Sequence, residues 1–150
     1  MLLTVDIGNT QTAMGLFEGE QLVAHWVFTT RAQDTADEVQ LLLTGQLELN
    51  GMSVDECDDV VIASVVPALT ECWATVARRI TLHEPIIVGP GIKTGLAMCY
   101  DNPAEIGADR VADAIAAIQL EGMPVVVVDL GTTTNIEVID EKGRFMGGII

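Results

Sequence analysis

Two aspartates in this sequence close apolar runs and are each followed by an aliphatic residue, a glycine and small polar residues. They lie in Val5-Asp6-Ile7-Gly8-Asn9-Thr10 and in Val128-Asp129-Leu130-Gly131-Thr132-Thr133-Thr134. A buried strand that ends on a carboxylate and turns at glycine leaves backbone N–H groups and hydroxyls facing one spot. Such a nest suits phosphate oxygens, and the carboxylate can hold a hydrated metal ion or an activated water beside it. A third aspartate stands in Gly107-Ala108-Asp109-Arg110, at the start of a helix rich in small residues. The helix dipole favours a carboxylate there, and the adjoining Arg110 is a ready partner for an anion.

The elements that must position these residues repeat. After Thr10 come a strand through Ala13 to Phe17, a Glu18-Gly19-Glu20 turn and a strand from Leu22 to Phe28. After Thr134 come Ile136 to Ile139, an Asp140-Glu141-Lys142-Gly143 turn and Phe145 to Ile150. Taken alone, either copy reads as a strand that simply ends at glycine and threonine. Two copies of one pattern point to a duplicated domain whose phosphate loops face each other across a cleft.

Between the copies, Thr35-Ala36-Asp37-Glu38 has the spacing of a capping box, and Val39, Leu42, Leu43 and Leu47 follow at helical intervals up to Gly51. The apolar run Val60 to Val66 predicts a strand covered on both faces, and Pro67 opens a helix through Ile80 with Trp73 on its core side. Pro85 to Val88 predicts a short strand ended by Gly89-Pro90-Gly91. Asn102 is placed to cap a turn with Pro103 and Glu105 behind it, before the helix that carries Val111, Ile115 and Ile118 and ends at Gly122. A three-stranded meander followed by alternating helices and strands gives an α/β fold, a mixed sheet flanked by helices in the ribonuclease-H-like order. The duplicated pattern divides the chain into residues 1–121 and an incomplete second copy at 122–150.

Composition narrows the partners. A net charge of -15 argues against nucleic acid, whose phosphates this surface would repel, yet a small anion can still be held by local donors. No apolar run reaches membrane-spanning length, and the start at Met1 to Asp6 lacks the basic region and cleavage site of a secretory signal. Cys57, Cys72 and Cys99 are odd in number and widely spaced, which predicts buried free thiols in a reducing compartment and no structural zinc.

Taken together, the motifs resemble those of the type III pantothenate kinases. Asp6-Ile7-Gly8-Asn9-Thr10, Ser64-Val65-Val66-Pro67, Gly89-Pro90-Gly91, Asp101-Asn102-Pro103, Gly107-Ala108-Asp109-Arg110, Asp129-Leu130-Gly131-Thr132 and Gly147-Gly148 occur in that family's order across all 150 residues. The resemblance implies two ribonuclease-H-like domains of the acetate kinase, sugar kinase, Hsp70 and actin superfamily around an ATP cleft. It implies phosphorylation of pantothenate to 4'-phosphopantothenate, the first step towards coenzyme A, with Mg²⁺ and either K⁺ or NH₄⁺, by a cytoplasmic homodimer. Carried over by position, Asp6, Ile7, Gly8, Asn9, Thr10, Gln11, Thr12 and Ala13 would form the first phosphate loop, with Asp6 near Mg²⁺ through water. Asp109 would be the general base, and Tyr100, Gly107, Ala108, Asp109 and Arg110 would line the pantothenate pocket. Asp129 would hold the monovalent cation, and Gly131 and Thr132 would contact ATP.

The sequence departs from the family in two places. The family's second loop continues from its first threonine as alanine, threonine, threonine, whereas this chain has Thr133, Thr134 and Asn135. The chain also stops at Ile150, inside the second meander, which predicts little kinase activity for the 150-residue piece alone. Two other classes remain open to the sequence: a regulatory relative that binds nucleotide without catalysis, favoured by the altered loop, and an actin-like filament protein, in which Asp109 has no role.

Overall fold

The computed structural model describes residues 1–89, 92–100 and 105–150. The expected turn capped by Asn102 and Pro103, and the Pro90-Gly91 end of the strand before it, lie outside the described residues. The chain forms two compact units, Met1–Ile87 and Val88–Ile150.

In the first unit, strands β1 (Leu2–Ile7), β2 (Gln11–Glu18) and β3 (Gln21–Thr29) make the expected meander. Helix α1 (Ala36–Leu49), strand β4 (Asp59–Ser64), helix α2 (Pro67–Thr81) and strand β5 (Ile86–Val88) follow. The sheet order is β3-β2-β1-β4-β5, antiparallel within the meander and parallel between β1 and β4. The capping box of α1 is present: the Thr35 hydroxyl accepts from the Glu38 N–H, and the Glu38 carboxylate accepts from the Thr35 N–H at 2.8 Å. Leu3, Val5 and Ile7 alternate along β1 onto the face that packs with Leu43 and Leu47 of α1 and Leu69 and Trp73 of α2. Asp6, one residue out of phase, therefore projects from the opposite face.

In the second unit, the short strand β6 (Ala97–Met98) precedes helix α3 (Ala108–Glu121) and a second meander of β7 (Val125–Leu130), β8 (Thr134–Ile139) and β9 (Arg144–Ile149). The order is β6-β9-β8-β7, with β6 parallel to β9 and the remaining pairs antiparallel. Ile106, Val111 and Ala114 pack with Ile139 and Phe145 in its core. Packing groups α3 with β7 and β8, so the compact units part after Ile87, whereas the sequence-based division at 121/122 follows the duplicated pattern.

One element is new and two expectations change. Strand β6 has no sequence signature, because two residues are too few to show a period. The valine run of β7 was expected to form a buried strand. Only its alternate residues Val125 and Val127 pack on the core, while Val126 and Val128 are more than half exposed. All three cysteines are free, but only Cys57 is buried; Cys72 is half-buried and Cys99 exposed. Among the described residues, no helix is long and apolar enough to cross a membrane.

Candidate functional site: two strand-end loops and a buried arginine–glutamate pair

The first loop is built from hydrogen bonds around Gly8. The Gly8 N–H donates to the Gln11 carbonyl at 2.9 Å and closes the turn between β1 and β2. The carbonyl of Gly8 accepts from the Thr30 hydroxyl at 2.8 Å, and the Thr30 N–H donates to the Thr10 carbonyl at 2.9 Å. Thr12 is buried, with its hydroxyl 2.9 Å from that of Thr30. These contacts leave Asn9, Thr10 and Gln11 exposed at the tip, where a phosphate could reach them. A Cβ on Gly8 would lie 3.0 Å from the Gln11 carbonyl oxygen, so any side chain there would press on the backbone of the turn. Asp6 pairs in register with Ala13 on one side and Ala63 on the other. Two alanines leave room around its carboxylate that longer side chains would fill.

The second loop is similar in outline and different in its polar contacts. Gly131 donates to the Thr133 carbonyl at 3.1 Å. The Thr133 hydroxyl donates to Asn135 Oδ1 at 3.2 Å, and Asn135 Nδ2 donates to Asp129 Oδ2 at 3.3 Å. The two residues that depart from the family pattern therefore form one polar chain ending on Asp129. A Cβ on Gly131 would sit in ordinary contact with the Asp129 carboxylate, 3.4 Å from Oδ2, so space alone does not demand glycine there.

Helix α3 carries the third element. Its N-cap is Gly107, which has no side chain to cap the helix, and Asp109 stands in the first turn with Oδ1 accepting from the Arg110 N–H at 2.8 Å. Ala108 is buried beneath. Arg110 runs inward: its Nε donates to Glu137 Oε1 at 2.7 Å, and its guanidinium carbon lies 5.8 Å from the centroid of the Phe145 ring. The Glu137 side chain is fully buried and that of Arg110 is 11% exposed. Arg110 Nη2 and Glu137 Oε2 are buried without a hydrogen-bond partner.

Two adjacent glycines of β9 shape this corner. Gly148 lies opposite Glu137 in register, and a Cβ there would overlap the Ile136 carbonyl oxygen and come within 2.8 Å of Arg110 Nη2. Gly147 has φ +107°, and a Cβ on it would lie 3.1 Å from the Tyr100 ring. The Cys99 N–H donates to the Phe145 carbonyl at 2.8 Å and ties the segment before Tyr100 to the same strand. Tyr100 and Arg110, expected together from the sequence, thus touch neighbouring glycines of one strand.

The candidate residues are divided between the units: 6–13 in the first, and Tyr100, Gly107 to Arg110, Asp129, Gly131 and Thr132 in the second. Glu137 was missed, because a glutamate inside an apolar strand carries no local motif; its only signal is a charge midway between Ile136 and Val138. Among the described residues no three acidic, histidine or cysteine side chains gather as metal ligands. Single carboxylates at strand ends fit a hard cation held largely by phosphate oxygens and water.

Comparison with solved structures bears on the fold. A crystal structure of a Porphyromonas gingivalis protein assigned as an N-acetylglucosamine kinase matches 99% of this chain and 47% of its own, with 16% identity and a TM-score of 0.53. A reductive activator for a corrinoid, iron-sulfur protein matches 93% of this chain and 29% of its own, with 10% identity and a TM-score of 0.60. At these identities the likeness shows the fold alone, a mixed α/β architecture that this chain shares with both proteins.

The sequence comparisons go further. The family model for type III pantothenate kinase matches residues 2–150. The type III pantothenate kinases of Moorella thermoacetica and Halalkalibacterium halodurans are 42% and 43% identical over all 150 residues, and that of Streptomyces avermitilis is 43% identical over 155 aligned positions. The chain belongs to the type III pantothenate kinase family. It spans 59%, 59% and 58% of the length of those three relatives.

Proposed function

We propose that the protein transfers the terminal phosphoryl group of ATP to the primary hydroxyl of pantothenate, forming 4'-phosphopantothenate at the entry to coenzyme A synthesis. The observation that carries this reading is the family match over residues 2–150, which includes both strand-end loops and the Gly107-Ala108-Asp109-Arg110 turn. Phosphoryl transfer needs an oriented nucleophile, neutralised charge and an in-line phosphate more than covalent chemistry.

In this reading residues 1–121 and 122–150 belong to the two ribonuclease-H-like domains, and the loops 6–13 and 129–132 are each phosphate-binding loops. Exposed Asn9 and Thr10 and the N–H groups around the Gly8 turn contact phosphate oxygens, as Gly131 and Thr132 do from the second loop. Asp109 accepts the proton of the pantothenate hydroxyl, and the N–H of Arg110 on its Oδ1 fixes the carboxylate's rotamer for that step. Tyr100, Gly107, Ala108 and Arg110 line the acceptor's pocket. Asp6 would hold Mg²⁺ through water and Asp129 a K⁺ or NH₄⁺ ion, and these ions supply neutralisation of phosphate charge. The protein works in the cytoplasm as a homodimer.

The test is ADP release by the full-length protein with pantothenate, with and without K⁺, beside Asp109→Asn. Turnover that falls by about 10²-fold or more in the variant supports the reading. Nucleotide binding without turnover of pantothenate, or turnover unaffected by Asp109→Asn, overturns it.

A further inference from the structure

The buried pair Arg110–Glu137 has a cost that its contribution to folding does not explain. Taking two charges out of water is expensive, and a buried ion pair is commonly no more stabilising than well-packed apolar residues of the same volume. Here the pair is also incompletely satisfied: one contact of 2.7 Å joins Nε to Oε1, while Nη2 and Oε2 are each buried with no partner. The backbone makes room for this arrangement, since Gly148 faces Glu137 across the strand pair and any Cβ there would press on Nη2. Phe145, fully buried, closes the far side of the guanidinium at 5.8 Å. The helix N-terminus that presents Arg110 is the one that presents Asp109, one residue earlier.

We infer that Glu137 is a positioning residue: from β8 its carboxylate holds the Arg110 guanidinium in one orientation, so that Arg110 serves as the fixed hook for the carboxylate of the acceptor substrate. This inference rests on the kinase reading above and adds a residue to it. Arginine is suited to the task because its planar fork keeps its charge and direction when one edge is anchored. A charge-assisted contact through Nε stops rotation about the last side-chain bonds and leaves the small part of the Arg110 side chain that solvent reaches, 11%, to recognise an anion. The carboxylate of pantothenate lies at the opposite end of the molecule from the hydroxyl that is phosphorylated. An anchored Arg110 therefore fixes the acceptor's direction and presents the hydroxyl to Asp109.

The experiment uses the full-length protein with two acceptors, pantothenate and pantothenyl alcohol, its uncharged analogue with a hydroxymethyl group in place of the carboxylate. Wild type should prefer pantothenate. In Glu137→Gln, which keeps the shape but loses the charge, KM for pantothenate should rise about tenfold while kcat/KM for the alcohol and KM for ATP stay within about twofold. Glu137→Asp, which keeps the charge but withdraws it by one methylene, should show the same selective loss. A carboxylate that served only the fold would lower turnover of both acceptors alike, and that result overturns the inference. So do unchanged discrimination in both variants, failure of both variants to fold, or a wild type that uses the two acceptors equally. In that last case the kinase reading survives; if wild type phosphorylates neither acceptor, the kinase reading falls and takes this inference with it.

Discussion

Glu137 Oε1 and Arg110 Nε meet at 2.7 Å inside the second unit, joining the strand β8 to the first turn of α3 where solvent does not reach the carboxylate. The contact links two parts of the chain 27 residues apart. Removing the cation alone would leave a buried, unpaired carboxylate. Arg110→Ala should therefore cost about 3–5 kcal/mol in chemical denaturation, well above the cost of Glu137→Gln. Equal losses would show that the charge is not confined as the geometry indicates.

Gly148→Ala should be more damaging than an alanine replacement at an open turn such as Gly19. At Gly148 the new methyl overlaps the Ile136 carbonyl and crowds Arg110, whereas at Gly19 no atom lies within 4 Å and the cost comes from φ +59° alone. Displacing β9 should cost about 1–3 kcal/mol and loosen the Arg110 side chain. Denaturation curves of the two variants, with hydrogen exchange across β8 and β9, give the comparison.

The turn between β8 and β9 is fastened by Asp140, which accepts from the Lys142 and Arg144 N–H groups at 2.9 Å each and from Arg144 Nε at 2.7 Å. The Arg144 guanidinium and these N–H groups hold the Asp140 carboxyl down at about 2. A depressed carboxyl contributes stability above its unfolded value near 3.9, and that contribution is lost as pH falls through the folded value. Asp140→Asn should lower the melting midpoint by a few degrees at neutral pH, and the gap from wild type should close between about pH 4 and pH 2. A gap that persists at pH 2 would rule out ionisation as its cause.

Helix α1 starts at a reciprocal cap, so Thr35→Ala should destabilise the first unit by about 1 kcal/mol, while Thr35→Ser should cost less because the hydroxyl is retained. The Thr35 N–H and hydroxyl bonds that also depress the Glu38 carboxyl disappear together only if the cap opens. Thr35→Ala deletes the hydroxyl bond but keeps the backbone N–H, so titration of Glu38 by NMR should show its carboxyl only part of the way back up towards the ordinary carboxylate range, and a full return would mean that the cap has opened.

The sequence by itself determined what depends on near neighbours in the chain. The capping box at Thr35, the Pro67 start and Gly122 end of helices, and the Gly8–Gln11 and Gly131–Thr133 turn bonds are set by contacts within a few residues, and the residue types announce them, whereas the bonds from Thr30 onto the first loop come from farther along the chain. The family could be read from the same segments. What the sequence left undecided was which face of a strand turns inward, because that depends on partners distant in the chain. Along β8 the apolar Ile136 and Val138 suggest the core side, yet Asn135, Glu137 and Ile139 are the buried residues, since α3 brings Arg110 over that face and Gly148 leaves room for it. Asn135 looked like a loss from the phosphate loop until the fold put it against Asp129. In the same way Tyr100 comes to rest on Gly147 because β6 pairs with β9, a two-residue contact too short to leave any period in the sequence. Local backbone chemistry is encoded next to where it acts, whereas a buried charge is explained only by the side chain that tertiary packing places opposite it.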